Sequence, residues 1–483
     1  MQLIYNVKDK PSLGKIITFA FQQMIAIMAA TLLVPIVVSM TGLTMDPAAA
    51  LFGAGIGTVV YILITKGESP VFLGSSFTFL GALSAAATQN YGYLGLIIGV
   101  CFAGLVYVII ALIIKLIGSG WVNKLLPPVI IGPILTLIGL SLSSTATSWM
   151  MANGGSDYNM VSIFIGLFTF LAIVVTSIKG GKNLKLIPFI VGIGAGYALA
   201  LVVTLIGMAA GVASMQVLSF DGFVSTFGNF TFESILKVPD FTFMLAIQTA
   251  GQYPIDGTAI ANLALLFMPI GIVELAQHIA DHKNISNIIE KDLIKNPGLD
   301  KTLLGDGIGS MVGSVFGGCA NTTYGESIGC VALTKNASTI TILAAGIGCM
   351  VLSFFTPFVV IINSIPKCVM GGACIAMYGF IAVSGLQMLR NVDLGDNRNL
   401  YVVASILVCG IGGLTFEFGY NEIAGTSMFT LTALASALII GSIVNAITHS
   451  GDDKSTGADI ASAQVDISKE AFGGDTTTSK YNG

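Results

Sequence analysis

Charge is scarce in this chain. Of 483 residues only 21 are Lys or Arg and 25 are Asp or Glu, 10% in all, where an average soluble domain carries roughly 25%. That excludes an ordinary water-soluble globule; the net charge of −4 says little, because the placement of charge matters more than its sum, and no nucleic-acid partner is expected. The seven cysteines (101, 319, 330, 349, 368, 374 and 409) show no paired or metal-like spacing and all lie in apolar runs. A disulfide framework and a thiolate metal site are both excluded. No nucleophile stands with a base, which argues against an intramembrane enzyme. No small-residue cleavage site follows the first apolar run, so no cleavable leader is expected.

Apolar residues make up 54% of the chain. Runs of about 20 residues, enough to cross ~30 Å of hydrocarbon, fall near 13–38, 48–65, 92–117, 160–178, 185–207, 259–280, 338–363, 399–417 and 426–448. Shorter or Pro/Gly-interrupted runs fall at 70–89, 127–144, 304–319, 321–335 and 366–389. The expectation is an all-α polytopic membrane protein with 14 transmembrane segments. A cytoplasmic N-terminus places 19 of the 21 basic residues inside, with Lys237 and Lys367 outside, in keeping with the positive-inside rule. Residues 208–258 read as an inter-repeat connection whose apolar run 241–252 is too short to span. Residues 449–483, rich in Gly, Ser, Thr and Asp, read as a disordered cytoplasmic tail.

Three patterns recur in the same order. Gly53-Ala-Gly-Ile-Gly57 returns as Gly305-Asp-Gly-Ile-Gly309, Gly74-Ser-Ser-Phe77 as Asn321-Thr-Thr-Tyr324, and Pro127-Pro-Val-Ile-Ile-Gly132 as Pro366-Lys-Cys-Val-Met-Gly371. The glycine patterns lack the Lys and the strand context of a phosphate loop, so close helix packing is expected of them. A duplication of seven segments sets its copies in opposite orientations, the inverted-repeat design of secondary transporters. Short extended stretches are expected in segments 3 and 10, since interrupted segments in matching positions point to a binding site near the midplane.

The second of these segments carries the carboxylate Glu326 between Gly325 and Gly329. An ionisable group at membrane depth is a functional-site hypothesis by default. Glu274, Gln277 and Asp281 are spaced to share one helix face. Gln22 and Gln23, adjacent amides in the first span, suit interhelical hydrogen bonding, with a direct ligand role as the alternative. His278, Asp281 and His282 imitate a metal motif, yet no third strong ligand lies nearby, so no metal is expected. Asp306 reads equally as a clamp between the short segments or as a proton carrier.

These residues resemble the nucleobase/ascorbate transporter family, most closely its bacterial uracil permease branch, from about Pro11 to Ile447. The resemblance rests on Asn321-Thr-Thr-Tyr-Gly-Glu-Ser-Ile-Gly329, Lys291-Asp-Leu-Ile-Lys-Asn-Pro-Gly-Leu299, Gly74-Ser-Ser-Phe77 and Leu33-Val-Pro35. It implies a substrate-holding core domain (13–118 and 259–363) and a gate domain (126–207 and 366–448), a homodimer in the inner membrane, and no cofactor other than the coupling proton. The implied activity is import of a nucleobase, with uracil first and a purine base such as xanthine or hypoxanthine as the alternative. An anion exchanger on the same fold is disfavoured because 321–334 holds Glu326 and no Lys or Arg.

The family signature maps onto Glu326 through Thr334, with Ser327 in place of its usual Asn. The first-span Gln-His pair is Gln22-Gln23, and the glutamate that binds substrate falls on Gln277. The expected binding residues are Glu326, Gln277, Phe77, Gly325, Ser327 and Tyr324. A carboxylate suits a ring N–H, a carboxamide suits an adjacent N–H and C=O, and the two aromatic rings are candidates for stacking or for packing. Gln277 cannot titrate, which leaves Glu326, Asp306 and Glu274 as proton-coupling candidates.

Overall fold

A computed structural model describes residues 3–448 except 40, 119, 122–126, 154–156, 182–183 and 420–428. The predicted tail 449–483 lies outside the described residues. The first half runs α1 (Leu13–Ser39), α2 (Pro47–Ile64), β1 (Leu73–Ser75), α3 (Leu80–Thr88), α4 (Gly92–Ile117), α5 (Pro128–Ser141), α6 (Ser143–Ala152), α7 (Met160–Lys179) and α8 (Pro188–Ala210). The connection holds only α9 (Asp221–Phe227) and α10 (Thr242–Gln248) besides short turns. The second half runs α11 (Gly257–Ile289), α12 (Leu299–Gly317), β2 (Asn321–Thr323), α13 (Gly325–Thr334), α14 (Thr339–Leu352), α15 (Thr356–Asn363), α16 (Lys367–Met388), α17 (Asn397–Ile411), β3 (Phe416–Phe418), β4 (Phe429–Leu431) and α18 (Ala433–Thr448).

Polar residues at the water-facing ends start several of these helices. Asp46 accepts the Ala48 N–H at 2.9 Å with Pro47 in the first turn of α2. Asn159 caps α7 through the Val161 N–H, and Asp256 caps α11 through the Ala259 N–H. Each cap satisfies a donor that a helix start leaves open. Among the described residues, eight helical segments are long and apolar enough to cross a membrane.

Three sequence boundaries move. The span expected to end near residue 280 continues to Ile289. Its polar extension is held there by Ser286, whose Oγ accepts the Leu293 N–H at 2.9 Å. The run 338–363 breaks into α14 and α15 because Phe354–Thr356 turns aside to pair with the connection, Lys237 N–H donating to Phe354 O and Thr356 N–H to Ile235 O. The run 399–417 stops as a helix at Ile411, before Gly412 and Gly413.

The helices pack as two groups. In one, α12 lies against α2 and α4, α4 against α11, and α14 against α1 and α2. In the other, α16 lies against α5, α6 and α7, α7 against α8, and α17 against α18. α11 also touches α5, α18 and β4 and so belongs to the boundary.

Small residues set the approach within both groups, and the contacts reproduce the repeat. A Cβ on Gly57 would stand 2.8 Å from Gly309 O, and one on Gly309 would stand 2.8 Å from Gly57 O. These two glycines are equivalents of one another at the sequence offset of 252. In the second group the offset of 239 that relates Pro127 to Pro366 also relates Gly139 to Tyr378, and a Cβ on Gly139 would meet Tyr378 O at 2.5 Å. Contacts between equivalents are what a two-fold relation generates, as in an isologous interface.

On one side of the first group the N-terminal lead is stitched to the segment after α13. Ile4 N–H donates to Lys335 O, Ala337 N–H to Tyr5 O and Thr339 N–H to Val7 O. Glu68, between α2 and β1, receives both Lys291 and Lys8. These two ammonium groups, Lys291 above all, hold the Glu68 carboxyl below the usual carboxylate range. A depressed native pKa stabilises the fold above the unfolded value, near ~4.3, and the gain disappears as pH falls through the native value. Glu68→Gln is therefore expected to lower the melting temperature of the purified protein at neutral pH, with the gap to wild type closing below about pH 4. A constant gap across that range would show that the two lysines do not act through the charge of Glu68.

Candidate functional site

Two half-helices begin at one point inside the first group. Residues Leu73, Gly74 and Ser75 of β1 pair antiparallel with Thr323, Thr322 and Asn321 of β2. All six are buried. The register maps onto itself under the repeat, since Gly74 matches Asn321 and Ser75 matches Thr322, so the pairs Gly74–Thr322 and Ser75–Asn321 exchange. Backbone polar groups at membrane depth must find partners inside the protein, and the two strands supply them to each other. Each strand then leads into a short helix, α3 or α13, so both N-termini open onto the strand pair. Helix N-termini offer unpaired N–H groups and a partial positive charge.

Asn321 fixes the crossing from the side. Its Nδ2 donates to Gly53 O at 3.0 Å and its N–H donates to Ser310 Oγ at 2.9 Å. A Cβ on Gly313 would fall 2.0 Å from that Nδ2, so glycine is needed there for the amide to enter.

α11 brings its polar face to β2 and α13. Glu274 is 1% exposed and its Oε1 accepts from Ser76 Oγ at 3.1 Å, while Oε2 has no hydrogen-bond partner among the described residues. One turn on, Gln277 is partly exposed and its side-chain amide has no hydrogen-bond partner among the described residues. Asp281, a further turn on, accepts from Thr323 Oγ1 at 2.7 Å. Glu326, in the first turn of α13, is exposed between the buried Tyr324 and Ser327 and bonds to no other described side chain. Gly325 beside it is also exposed, and a Cβ there would meet nothing within 4 Å. Gly325 therefore faces open space instead of the opposite half-helix. An open carboxylate, an open carboxamide and the N–H groups of a helix start form a set of acceptors and donors suited to a flat polar ring.

The other expected site residues take different places. The Tyr324 ring lies over Gly74, where a Cβ would fall 2.3 Å from Cε2, and its hydroxyl donates to Ser75 O at 2.6 Å. Tyr324 thus locks the two strands together. Ser327 is fully buried, and its Oγ accepts from Gln23 Nε2 and from the Phe72 N–H at 3.2 Å, joining α1, the approach to β1 and α13. Phe77 is half-buried between β1 and α3. Asp306 is buried and its Oδ2 lies 2.6 Å from His278 Nδ1, whose Nε2 lies 3.1 Å from Thr302 Oγ1. His282 Nε2 lies 2.6 Å from the Tyr61 hydroxyl, which donates to Ser69. The two histidines are thereby committed to separate partners, and no group of three metal-ligating side chains occurs among the described residues.

The sequence reading passed over Ser76, Thr322 and Thr323 as individual side chains. Their only linear signal is a hydroxyl at an unusual density in a short interrupted segment. A shallow depression of about 560 Å³ between Gln89–Tyr91 and Gln252–Asn262 lies at the N-terminal end of α11, remote from these residues.

The sequence profile of the permease family that covers xanthine and uracil permeases matches residues 14–417. The chain belongs to the nucleobase/ascorbate transporter family. It is an integral membrane transporter and not an enzyme. Relatives in this family include the uracil permeases of Bacillus caldolyticus, 36% identical over 92% of this chain and 94% of that one, and of Bacillus subtilis, 33% identical over 92% and 94%. The uracil permease of Escherichia coli K12 is 30% identical over 90% of this chain and 93% of its own length. Two solved structures share the fold. The transmembrane domain of the cyanobacterial bicarbonate transporter BicA matches with a TM-score of 0.54 at 15% identity, over 90% of this chain and 98% of that one. SLC26A9 matches with a TM-score of 0.58 at 10% identity, over 92% and 67%.

In this family member Ser327 is a joint. Ser327→Ala leaves the Gln23 amide and the Phe72 N–H unpaired, each costing ~1–3 kcal/mol. A clear drop in melting temperature of the purified variant is expected, and an unchanged melting curve would show that both donors find other partners.

Proposed function

We propose that this chain imports a nucleobase, uracil in the first place, by secondary active transport coupled to protons. The observation that carries the reading is the pair of side chains left open at the half-helix junction, Gln277 on α11 and Glu326 on α13. Uracil alternates N–H donors with C=O acceptors along its edge. Glu326 would accept from one ring N–H, Gln277 would match a neighbouring N–H and C=O, and the first N–H groups of α13 would receive a remaining carbonyl. Phe77 is then the ring available for stacking. The names of the relatives agree with this substrate.

The mechanism proposed is alternating access by 14 segments in two inverted repeats. The core (13–118 and 259–363) would carry the substrate against the gate (126–207 and 366–448), within a homodimer whose protomers keep both termini in the cytoplasm. The two packing groups and the reciprocal glycine contacts support that division. α11, at the boundary, would move its site residues past α5 and α18.

Gln277 offers donor and acceptor together at every pH, so the proton must ride on a carboxylate, with Glu326, Asp306 and Glu274 as carriers in or beside the site. Glu326→Ala is expected to abolish labelled-uracil uptake while the protein still reaches the membrane. Normal uptake at normal expression would remove Glu326 from the site. Competition by unlabelled uracil, thymine, xanthine and hypoxanthine tests the substrate: inhibition by xanthine in preference to uracil would overturn the pyrimidine assignment.

Restoring an acid at position 277 adds a group that must be protonated to donate. Gln277→Glu is accordingly expected to confine tight uracil binding to the lower end of the range between about pH 5 and pH 8. Parallel binding profiles for variant and wild type would show that position 277 does not touch the substrate.

A further inference from the structure

The loop that follows each half-helix is finished differently in the two copies. Phe77 and Tyr324 are equivalents 247 residues apart, and the same offset relates the start of α4 at Gly92 to the start of α14 at Thr339. Both loops turn through a left-handed residue, Asn90 after α3 and Lys335 after α13. In the second copy the segment that precedes α1 covers the loop, with Ile4 N–H donating to Lys335 O, Ala337 N–H to Tyr5 O and Thr339 N–H to Val7 O. In the first copy the counterpart of that segment is the end of the connection, 249–256, which precedes α11. Among the described residues no backbone hydrogen bond joins it to 88–92. The two segments stand instead around a hollow of about 560 Å³.

The walls of this hollow are fixed. The Tyr253 ring lies on Gly92, where a Cβ would fall 2.5 Å from its Cδ2, and the backbone there has a φ of 61°. Glycine is needed at that position on both counts. The Tyr91 hydroxyl is hydrogen-bonded to the Asn262 amide, and both tyrosine rings are half-buried against the apolar core. Asp256, the one charged residue in the lining, accepts the Ala259 N–H at the start of α11. Between these walls the side-chain amides of Gln89, Asn90 and Gln252 and the hydroxyl of Thr258 have no hydrogen-bond partner among the described residues.

Each of the three carboxamides offers a donor and an acceptor at once, the pairing that backbone supplies at the equivalent loop of the other copy. A guest here must present donors alternating with acceptors and a flat face to a phenol ring. The lining holds no Lys or Arg, so an anion finds no counter-charge. An apolar guest would strip water from the amides and leave them unpaired. A neutral nucleobase ring satisfies all of these conditions.

We infer that this hollow is a second, weaker nucleobase site, set at the opposite end of α3 from the half-helix junction. The inference rests on the nucleobase reading of the junction. α3 has nine residues, so about 13 Å of helix separates the two sites. α3, α4 and α11 pack on one another, and the hollow therefore stays intact when the core moves against the gate. In the orientation proposed above it opens to the outside, where it would hold a base ahead of its entry to the junction. The hollow is larger than one pyrimidine, so the ring shares it with water, and affinity in the millimolar range is expected. The connection thereby gains a role, since it supplies Gln252 and Tyr253.

The test uses 4-thiouracil, a photoreactive analogue of uracil, on the full-length purified protein, with the labelled peptides identified by mass spectrometry. In the wild type two labelled regions are expected. One is at the junction, and the other, at Tyr91 or Tyr253, fills only at millimolar probe; excess unlabelled uracil should displace both. Glu326→Ala should lose the junction label and keep that at the hollow. The double variant Gln89→Ala, Gln252→Ala changes two exposed side chains; it should lose the hollow label, keep the junction label, and take up uracil severalfold more slowly at low concentration but normally at saturation. Retained junction labelling shows that the double variant is folded; if it is not, the position of the wild-type label decides. Absence of any uracil-displaceable label within 89–93 and 249–262 overturns the inference, as does labelling there that the folded double variant retains. Labelling at the hollow with none at the junction would instead remove the junction site and leave this one standing.

Discussion

Backbone groups placed at membrane depth have no water to bond to, and the strand pair β1–β2 is where this chain meets that constraint. Six residues leave helical geometry there, and each strand is the other's only source of ladder hydrogen bonds. Everything near the junction serves that pairing. Asn321 reaches across to Gly53, Tyr324 covers Gly74 and bonds Ser75, and Ser327 gathers α1 and Phe72. The glycines of α2 and α12 let the helices on either side approach until a single added carbon would strike backbone. Because the strands accept this irregularity, two helices can begin inside the protein and present their N–H groups to a ligand.

The polar side chains around the junction divide by what they bond. Ser76, Thr323, Asn321 and Ser327 are engaged with neighbours and hold the architecture, whereas Gln277 and Glu326 are open. Glu274 and Asp306 are intermediate, each with one oxygen engaged and one not. A buried acid with a single satisfied oxygen is expensive to keep.

Much of this organisation was legible from the chain alone. The apolar runs located the long helices because hydropathy and length are what a bilayer reads. The interrupted segments 70–89 and 321–335 contain the two strands, since hydroxylic and β-branched residues next to glycine disfavour continuous helix. Glu326 stood out because acids are rare in such segments. The end of α11 was misplaced by nine residues, as polarity marks the membrane surface and not the end of a helix that continues into water. The break after Leu352 was hidden because it is made by hydrogen bonds to residues 235–237, more than a hundred positions away. For the same reason no spacing pattern could show that Asp306 pairs with His278 or that Tyr324 packs on Gly74. These are long-range contacts, and a linear pattern reports only neighbours within a turn or two.

The pairing of Leu73 with Thr323 joins residues 250 positions apart. During synthesis the chain from β1 through α12 is therefore made before β2 exists, and β1 has no strand to bond with in the interval. The N-terminal lead is in the same position, since Tyr5 and Val7 wait for Ala337 and Thr339. Two strands that find their ladder partners only in each other across that separation cannot be completed one at a time. The order of assembly, and not only the final fold, is thus written into the place where the two copies meet.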